Sequence, residues 1–241
     1  MTTPPPIHIG IDDTDTLDTR GTNQLARSLA RCVSAQFTCQ RITRHQLLND
    51  PRIPYTSKNG SASLVLQAAF HADLARLATM LSHAMRDDYV PGSDPGLCVA
   101  LGPSESVQRF GRRCQREIVT QQEARQLAAS EGILLLGLGG TEDGVIGALA
   151  AVGLAAQGND GRVVHACNWR EDLAGRQSVD TLREFGVRVR DWESNQEIET
   201  GIVDVGKKLR PNWREHGCVL YVRRGPDLAD GSPLFQALKI P

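Results

Sequence analysis

The spacing of apolar and polar positions divides the chain into alternating strands and helices. Ile7–Ile11 reads as a first strand, and Leu25, Leu29, Cys32 and Val33 then repeat at helical spacing. Phe37–Leu48 reads as extended, and Ser63–Phe70 as a further strand. His71–Met85 places Leu74, Leu77, Leu81 and Met85 on one helical face. Leu97–Leu101 is a short strand. Residues 102–132 read as two polar helices joined near Val119, which makes them a candidate bridge between halves. Ile133–Leu136 has strand character, and a glycine-rich loop leads from it into a small-residue helix over Val145–Leu154. Val163–Cys167 and Cys218–Val222 are further short strands. Strands and helices mix throughout, so the expected class is α+β (mixed α/β).

Composition narrows this picture. At 241 residues the chain has room for one large domain or two ordinary ones, and two meeting in residues 103–132 is the expected organisation. The net charge of −1 announces no global field for nucleic acid or anionic membrane. No apolar run approaches membrane-spanning length, and Met1–Pro6 has neither a basic start nor an apolar core, so a cytoplasmic protein with no membrane partner is expected. The six cysteines are scattered without a CxxC pair, which argues against a structural zinc site and for reduced thiols. The histidines show neither ligand spacing nor a catalytic triad. The basic runs at 109–116, 207–214 and 222–225 read as solvated faces.

Three segments could carry chemistry. In "IGIDDTDT" three carboxylates, Asp12, Asp13 and Asp15, crowd the end of the first strand. Unpaired, they would repel one another. A hard cation such as Mg2+ would relieve that repulsion and hold substrate phosphates, and the following helix would turn its N-terminus toward the same anion. A plain turn and helix cap is the alternative. In "RIPYTSKNGSA", Lys58, Asn59 and Gly60 form either a phosphate-binding loop or a hairpin turn with a solvated lysine. In "GLGGTEDGVIGALAAVG", the glycines either open an anion site at a helix N-terminus or let that helix pack closely; Glu142 and Asp143 sit awkwardly beneath a phosphate without a metal. The segment is neither a Walker A loop nor a clean dinucleotide fingerprint.

Taken in order, "IGIDDTDT", "IPYTSKNGSA" and "GVIGALAAVG" resemble the archaeal isoleucine-tRNA agmatinylcytidine synthetase (TiaS) family, and "CVLYVRRGP" at 218–226 is similar to the segment ending that family's second domain. The resemblance implies a kinase-like N-terminal α/β domain over residues 1–118 and a ferredoxin-like domain over 119–241. It also implies ATP and Mg2+ as cofactors. By position in those motifs it implies catalytic roles for Asp12, Asp13, Thr22 and Lys58, and metal binding by Asp12, Asp13 and Asp15. Thr14, Asp15, Asn59, Gly60, Ser61, Gly144 and Gly147 fall in the implied nucleotide site. Thr22 occupies the position of a threonine that the family autophosphorylates, although the Gly and Cys preceding it differ here, and Asp143 stands where the family has a basic residue. No counterpart of the family's OB-fold and zinc ribbon is expected.

The chemistry so implied is activation of a carbonyl-type oxygen by phosphorylation and its displacement by an amine. The expected partners are ATP, a small-molecule or nucleoside acceptor and an amine. A tRNA substrate brought by a separate tRNA-binding protein, and a nucleotide-binding module without turnover, are the alternatives.

Overall fold

In a computed structural model the chain forms two compact units, residues 1–157 and 158–241. The structure describes residues 4–14, 21–53, 59–68, 72–167 and 173–240.

The first unit begins with β1 (Ile7–Asp12), α1 (Thr22–Cys32), β2 (Phe37–Gln46), β3 (Gly60–Ala68), α2 (Leu74–Asp87) and β4 (Gly96–Leu101). These strands lie in the order β4-β1-β3-β2 with every neighbouring pair antiparallel. This is the split β-α-β arrangement of ferredoxin-like folds. It lies within residues 7–101, ahead of the segment where the resemblance implied a ferredoxin-like domain. Then follow α3 (Glu105–Cys114), α4 (Gln121–Ser130), β5 (Leu134–Gly137), which joins the sheet beside β4, and α5 (Gly144–Gln157). Mixed α/β architecture was the expectation, and it is what the chain forms.

Alternation along β1 explains the layering. Ile7, Ile9 and Ile11 are all buried and point away from α5, toward the side where α1 and α2 pack on β3 and β4. His8, Gly10 and Asp12 point the other way, toward α5. That helix is made of Gly, Ala, Val, Leu and Ile up to its terminal Gln157, and eleven of its residues are buried. It approaches the sheet so closely that a Cβ on Gly10 would stand 1.9 Å from the Ala148 carbonyl oxygen, and one on Gly96 would stand 2.1 Å from that of Gly144. Its other side packs against α3, where Gly153 meets the Val107 carbonyl.

The sheet face beneath α5 is polar. Registers align His8 with Val65, Gly10 with Ser63, Ser63 with Thr43, Val65 with Arg41, and Ser61 with His45. His45 Nε2 and Ser63 Oγ are 2.8 Å apart, and both residues are fully buried. Because α5 offers no polar side chain before its terminal Gln157, these groups find no side-chain partner along its length. Arg41 turns to backbone instead: its Nη2 donates to the Ala155 carbonyl at 2.9 Å, placing a cation at the C-terminal end of the α5 dipole.

Side-chain caps fix where the helices start. Asp73 accepts from Arg76 N, Ser104 from Val107 N, and Thr120 forms a reciprocal capping box with Glu123. The joint between α3 and α4 falls near Val119, as the spacing predicts. Those two helices do not bridge halves: both belong to the first unit, and α5, expected in the second domain, lies in the first unit too. The contacts therefore divide the chain at 157/158 rather than at 118/119, because α5 is committed to β1, β4 and α3.

The second unit holds β6 (Arg162–Ala166), β7 (Arg176–Ser178), α6 (Val179–Glu184), β8 (Val187–Asp191), β9 (Ile202–Asp204), β10 (Asn212–Arg214), β11 (Gly217–Arg224) and β12 (Leu234–Ala237). Its centre is β11, paired with β10 and β12 antiparallel and with β8 parallel. Val187, Val189, Leu220, Val222 and Phe235 form its core with Leu182 of α6. Among the described residues no helix is long and apolar enough to cross a membrane.

His8 gives the first unit a pH dependence. Burial, and then the nearby Arg41 charge, lower its pKa from 6.5 to about 4. The unfolded chain takes up this proton near pH 6.5 while the folded chain resists it until about pH 4. Stability is therefore complete above the higher value and falls as pH drops toward the lower, by about 3 kcal/mol in all. Urea unfolding at pH 7.5 and 4.5 measures this slope, and His8→Gln is expected to flatten it.

Candidate functional site

The end of β1 and the start of α5 meet at a cavity of about 490 Å³. Asp12, Asp13, Asn59, Gly60, Gly144 and Gly147 line it, so six of the residues marked out by sequence come together on one surface. They reach it by different routes. Asp12 is the last residue of β1 and faces α5. Gly147 leaves just enough room for it: a Cβ there would stand 1.6 Å from Asp12 Oδ2. The carboxylate thus sits in the first turn of α5, at the positive end of the helix dipole, where its charged form is favoured.

Asp13 follows with φ at 48°, the left-handed region that non-glycine residues seldom occupy. Glu142, just before α5, is also left-handed at 64°. Such conformations cost on the order of 1 kcal/mol each and persist where the surroundings impose them. Asp13 lines this site, and Glu142 precedes Asp143 of its lining.

Asn59 is more constrained than a loop ligand. Its Nδ2 donates to the Leu48 carbonyl at 2.7 Å, and its own carbonyl accepts from Leu47 N at 3.0 Å. It closes the β2–β3 ladder just beyond the Gln46–Gly60 pair, so Asn59 and Gly60 lead into β3. Thr14, Thr22 and Ser61 lie off the cavity lining. Thr14 Oγ1 donates to Thr22 Oγ1 at 3.2 Å, and Thr22 is the first residue of α1. Ser61 is fully buried beneath α5, next to His45. Asp15 and Lys58 lie outside the described residues.

The glycine-rich loop before α5 already holds an anion supplied by the chain itself. Asp94 accepts from Thr141 N and Thr141 Oγ1, each at 2.7 Å. Gln121 Nε2 donates to the Thr141 carbonyl at 2.9 Å and to Asp143 Oδ1 at 3.0 Å. Arg125 pairs with Glu142. These contacts tie α4 to the N-terminal end of α5. Of the two readings open for the loop, close helix packing describes Gly144 and Gly147, and both also border the cavity.

The rest of the lining includes Cys114 and the α3–α4 joint, Glu117–Gln121, which sequence did not mark out, together with Leu47, Ile53 and Ile146. Burial pushes the Cys114 thiol up to about 12, opposed by Arg113 and reinforced by the Asp12 charge, so it is an uncharged part of the lining. Arg52 stands at the edge, clamped to Asp50 through Nε and Nη2, both at 2.8 Å. The only sequence signal for this part of the lining is the Thr120–Glu123 capping box, which marks where α4 starts but not what the joint faces.

The described lining carries five carboxylates, on Asp12, Asp13, Asp94, Glu117 and Asp143, against the one guanidinium of Arg52. Asp12 and Asp13 offer the hard oxygen donors that Mg2+ accepts. Among the described residues no three His, Cys, Asp or Glu are grouped closely enough to hold a metal by themselves. Two protein carboxylates completed by water and phosphate oxygens is the donor set that fits.

No family model matches the chain. It is 31% identical over 153 residues to the isoleucine-tRNA 2-agmatinylcytidine synthetase TiaS of Pyrococcus horikoshii, a match covering 61% of this chain and 35% of that protein. It is 28% identical over 149 residues to an uncharacterized protein of Methanocaldococcus jannaschii, covering 61% of this chain and 49% of the other. Among solved structures it is similar to a tRNA fluorescent labeling enzyme, with TM-score 0.54 and 24% identity over 61% of this chain and 36% of that one. It is likewise similar to TiaS in a complex with an isoleucine tRNA and ATP, with TM-score 0.53 and 22% identity over 62% and 36%. The similarity to TiaS that the motifs suggested therefore holds over 61% of the chain, in sequence and in fold. The matches span from about a third to a half of these relatives' lengths.

Two glycine substitutions separate packing from site geometry. Gly10→Ala presses a methyl group onto the Ala148 backbone and is expected to cost about 1–3 kcal/mol. Gly147→Ala meets the Asp12 side chain rather than backbone, with Oδ2 at 1.6 Å, Cγ at 2.5 Å and Cβ at 3.0 Å from the added methyl. It is expected to fold with a smaller loss while displacing that carboxylate. Urea denaturation of the two variants tests the ranking.

Proposed function

We propose that the chain is an ATP-dependent enzyme that transfers a phosphoryl group to a carbonyl-type oxygen of an acceptor, preparing that carbon for displacement by an amine. The observation that carries this reading is the position of Asp12. The carboxylate is aimed into a cavity, flanked by the left-handed Asp13, and seated at a helix N-terminus through the absence of a side chain at Gly147. The similarity to TiaS, solved with ATP and an isoleucine tRNA, supports the same reading.

In this proposal Asp12 and Asp13 hold Mg2+, which supplies charge neutralisation at the triphosphate when bound. The chain's own part is positional. Gly147 and Gly144 let the α5 N-terminus approach the anion, and Asp94 and Gln121 keep the preceding loop rigid. Lys58 and the backbone of Asn59 and Gly60 are assigned to the phosphates; Thr22, hydrogen-bonded to Thr14 and off the cavity lining, is given no contact with them. Asp15 completes the acidic group. The apolar residues of the lining exclude water, which would otherwise compete with the amine for the activated carbon. A tRNA acceptor is the second reading, favoured by the substrate of the relative.

Asp12→Asn preserves shape and removes charge. Isothermal titration of the full chain with ATP in the presence of Mg2+ is expected to show binding that weakens at least 10-fold in Asp12→Asn. Wild-type protein that binds no nucleotide, or an Asp12→Asn variant that binds it equally well, contradicts the proposal.

A further inference from the structure

We propose that Arg52 is a phosphate-binding residue of the cavity and that Asp50 is its positioning residue, presenting the guanidinium to the phosphates of the bound nucleotide. The inference rests on the phosphoryl-transfer reading above and gives a role there to two residues that have none.

The first support is the loop that carries them. Arg52 lines the same cavity as Asp12, Asp13 and Asn59, and its neighbours Leu47 and Ile53 line it too. The base of the loop is tied down by three hydrogen bonds. Leu48 N donates to the Cys114 carbonyl at 3.0 Å, Asn59 Nδ2 to the Leu48 carbonyl at 2.7 Å, and Gln115 Nε2 to the Gln46 carbonyl at 3.1 Å. Asp50 then closes the turn: its carbonyl accepts from Ile53 N and its Oδ1 from Arg52 N, both at 3.0 Å.

The second support is the geometry of the ion pair. Arg52 Nε donates to Asp50 Oδ1 and Nη2 to Oδ2, each at 2.8 Å. Two parallel bonds fix the plane of a guanidinium, which a single bond leaves free to turn. The arginine side chain stays 74% exposed against 19% for the aspartate, so the pair is open on the arginine's side. Nη1 lies outside the fork and has no partner among the described residues. The hydrogen bonds from Arg52 hold the Asp50 carboxyl down at about 2, so the fork persists at neutral pH. As a surface ion pair it adds little to folding, and its removal therefore separates binding from stability.

The chemistry fits a phosphate. A triphosphate entering this lining meets the carboxylates of Asp12, Asp13, Asp94, Glu117 and Asp143. Mg2+ on Asp12 and Asp13 offsets part of that charge. A planar guanidinium adds paired N–H donors that match phosphate oxygens, where a lysine brings a point charge. Arg52 is the cation of the described lining whose orientation is already set before nucleotide arrives.

The test is isothermal titration of the full chain with ATP in the presence of Mg2+, beside urea unfolding of each variant. Arg52→Ala is expected to weaken ATP at least 10-fold with an unchanged unfolding midpoint. Arg52→Lys, which keeps the charge without the fork, is expected to recover part of that loss. Asp50→Asn sets an amide N–H against the guanidinium and is expected to weaken ATP about 3-fold, but to have no effect in an Arg52→Ala background. Wild-type affinity in Arg52→Ala overturns the inference, as does an Arg52→Lys variant that binds no better than Arg52→Ala. An Asp50→Asn effect of equal size in both backgrounds overturns the part given to Asp50. Wild-type protein that binds ATP through Asp12 but tolerates Arg52→Ala overturns this inference alone; wild-type protein that binds no nucleotide overturns the phosphoryl-transfer reading with it.

Discussion

Everything at the site depends on how closely α5 lies against the sheet. An apolar helix of small residues rests on a face that carries His8, Arg41, Thr43, His45, Ser61 and Ser63, most of them buried. Hydrophobic burial alone would not choose such a partner. Geometry and electrostatics do: glycines at 10 and 96 let the backbones meet, and the ends of the helix dipole face opposite charges of the sheet. Asp12 sits at the N-terminal turn, and Arg41 donates to the Ala155 carbonyl near the C-terminus. Shifting α5 by a fraction of a turn would break both arrangements at once.

This placement links the site to the fold. Asp12 is both the last residue of the central strand and the anion of the helix N-terminus, so the element that completes the core also orients the carboxylate. The left-handed backbone at Asp13 and Glu142 lies on either side of the same contact. Conformations of this kind are retained where packing imposes them, and here the packing is that of β1 on α5.

The sequence made much of this legible because the relevant signals are local. "IGIDD" shows a strand ending in carboxylates, and "GVIGALAAVG" shows a helix whose small residues allow close approach. Their meeting is a tertiary fact that spacing does not reveal, and it came through the resemblance of the ordered motifs. The α3–α4 joint was missed as part of the site because its direction depends on α3 packing against α5. The second unit was read only in part. Strands β7, β9 and β10 are three residues long, too short for a period of two to stand out. The domain boundary was displaced because polar helices α3 and α4 look like a linker, whereas Val107, Phe110, Ala124 and Ala128 bury an apolar stripe against α5. His8 and His45, ordinary by spacing, are buried because alternation turns them under that helix.

The central claim is that Asp12, held in the first turn of α5, anchors a metal-bound nucleotide in the adjoining cavity. A crystal structure of the full chain grown with Mg2+ and a non-hydrolysable ATP analogue tests it most directly. The account predicts the triphosphate in the cavity between β1 and α5, with the metal on Asp12 and Asp13. A nucleotide bound elsewhere on the chain, or in the cavity with its phosphates turned away from Asp12, would contradict it.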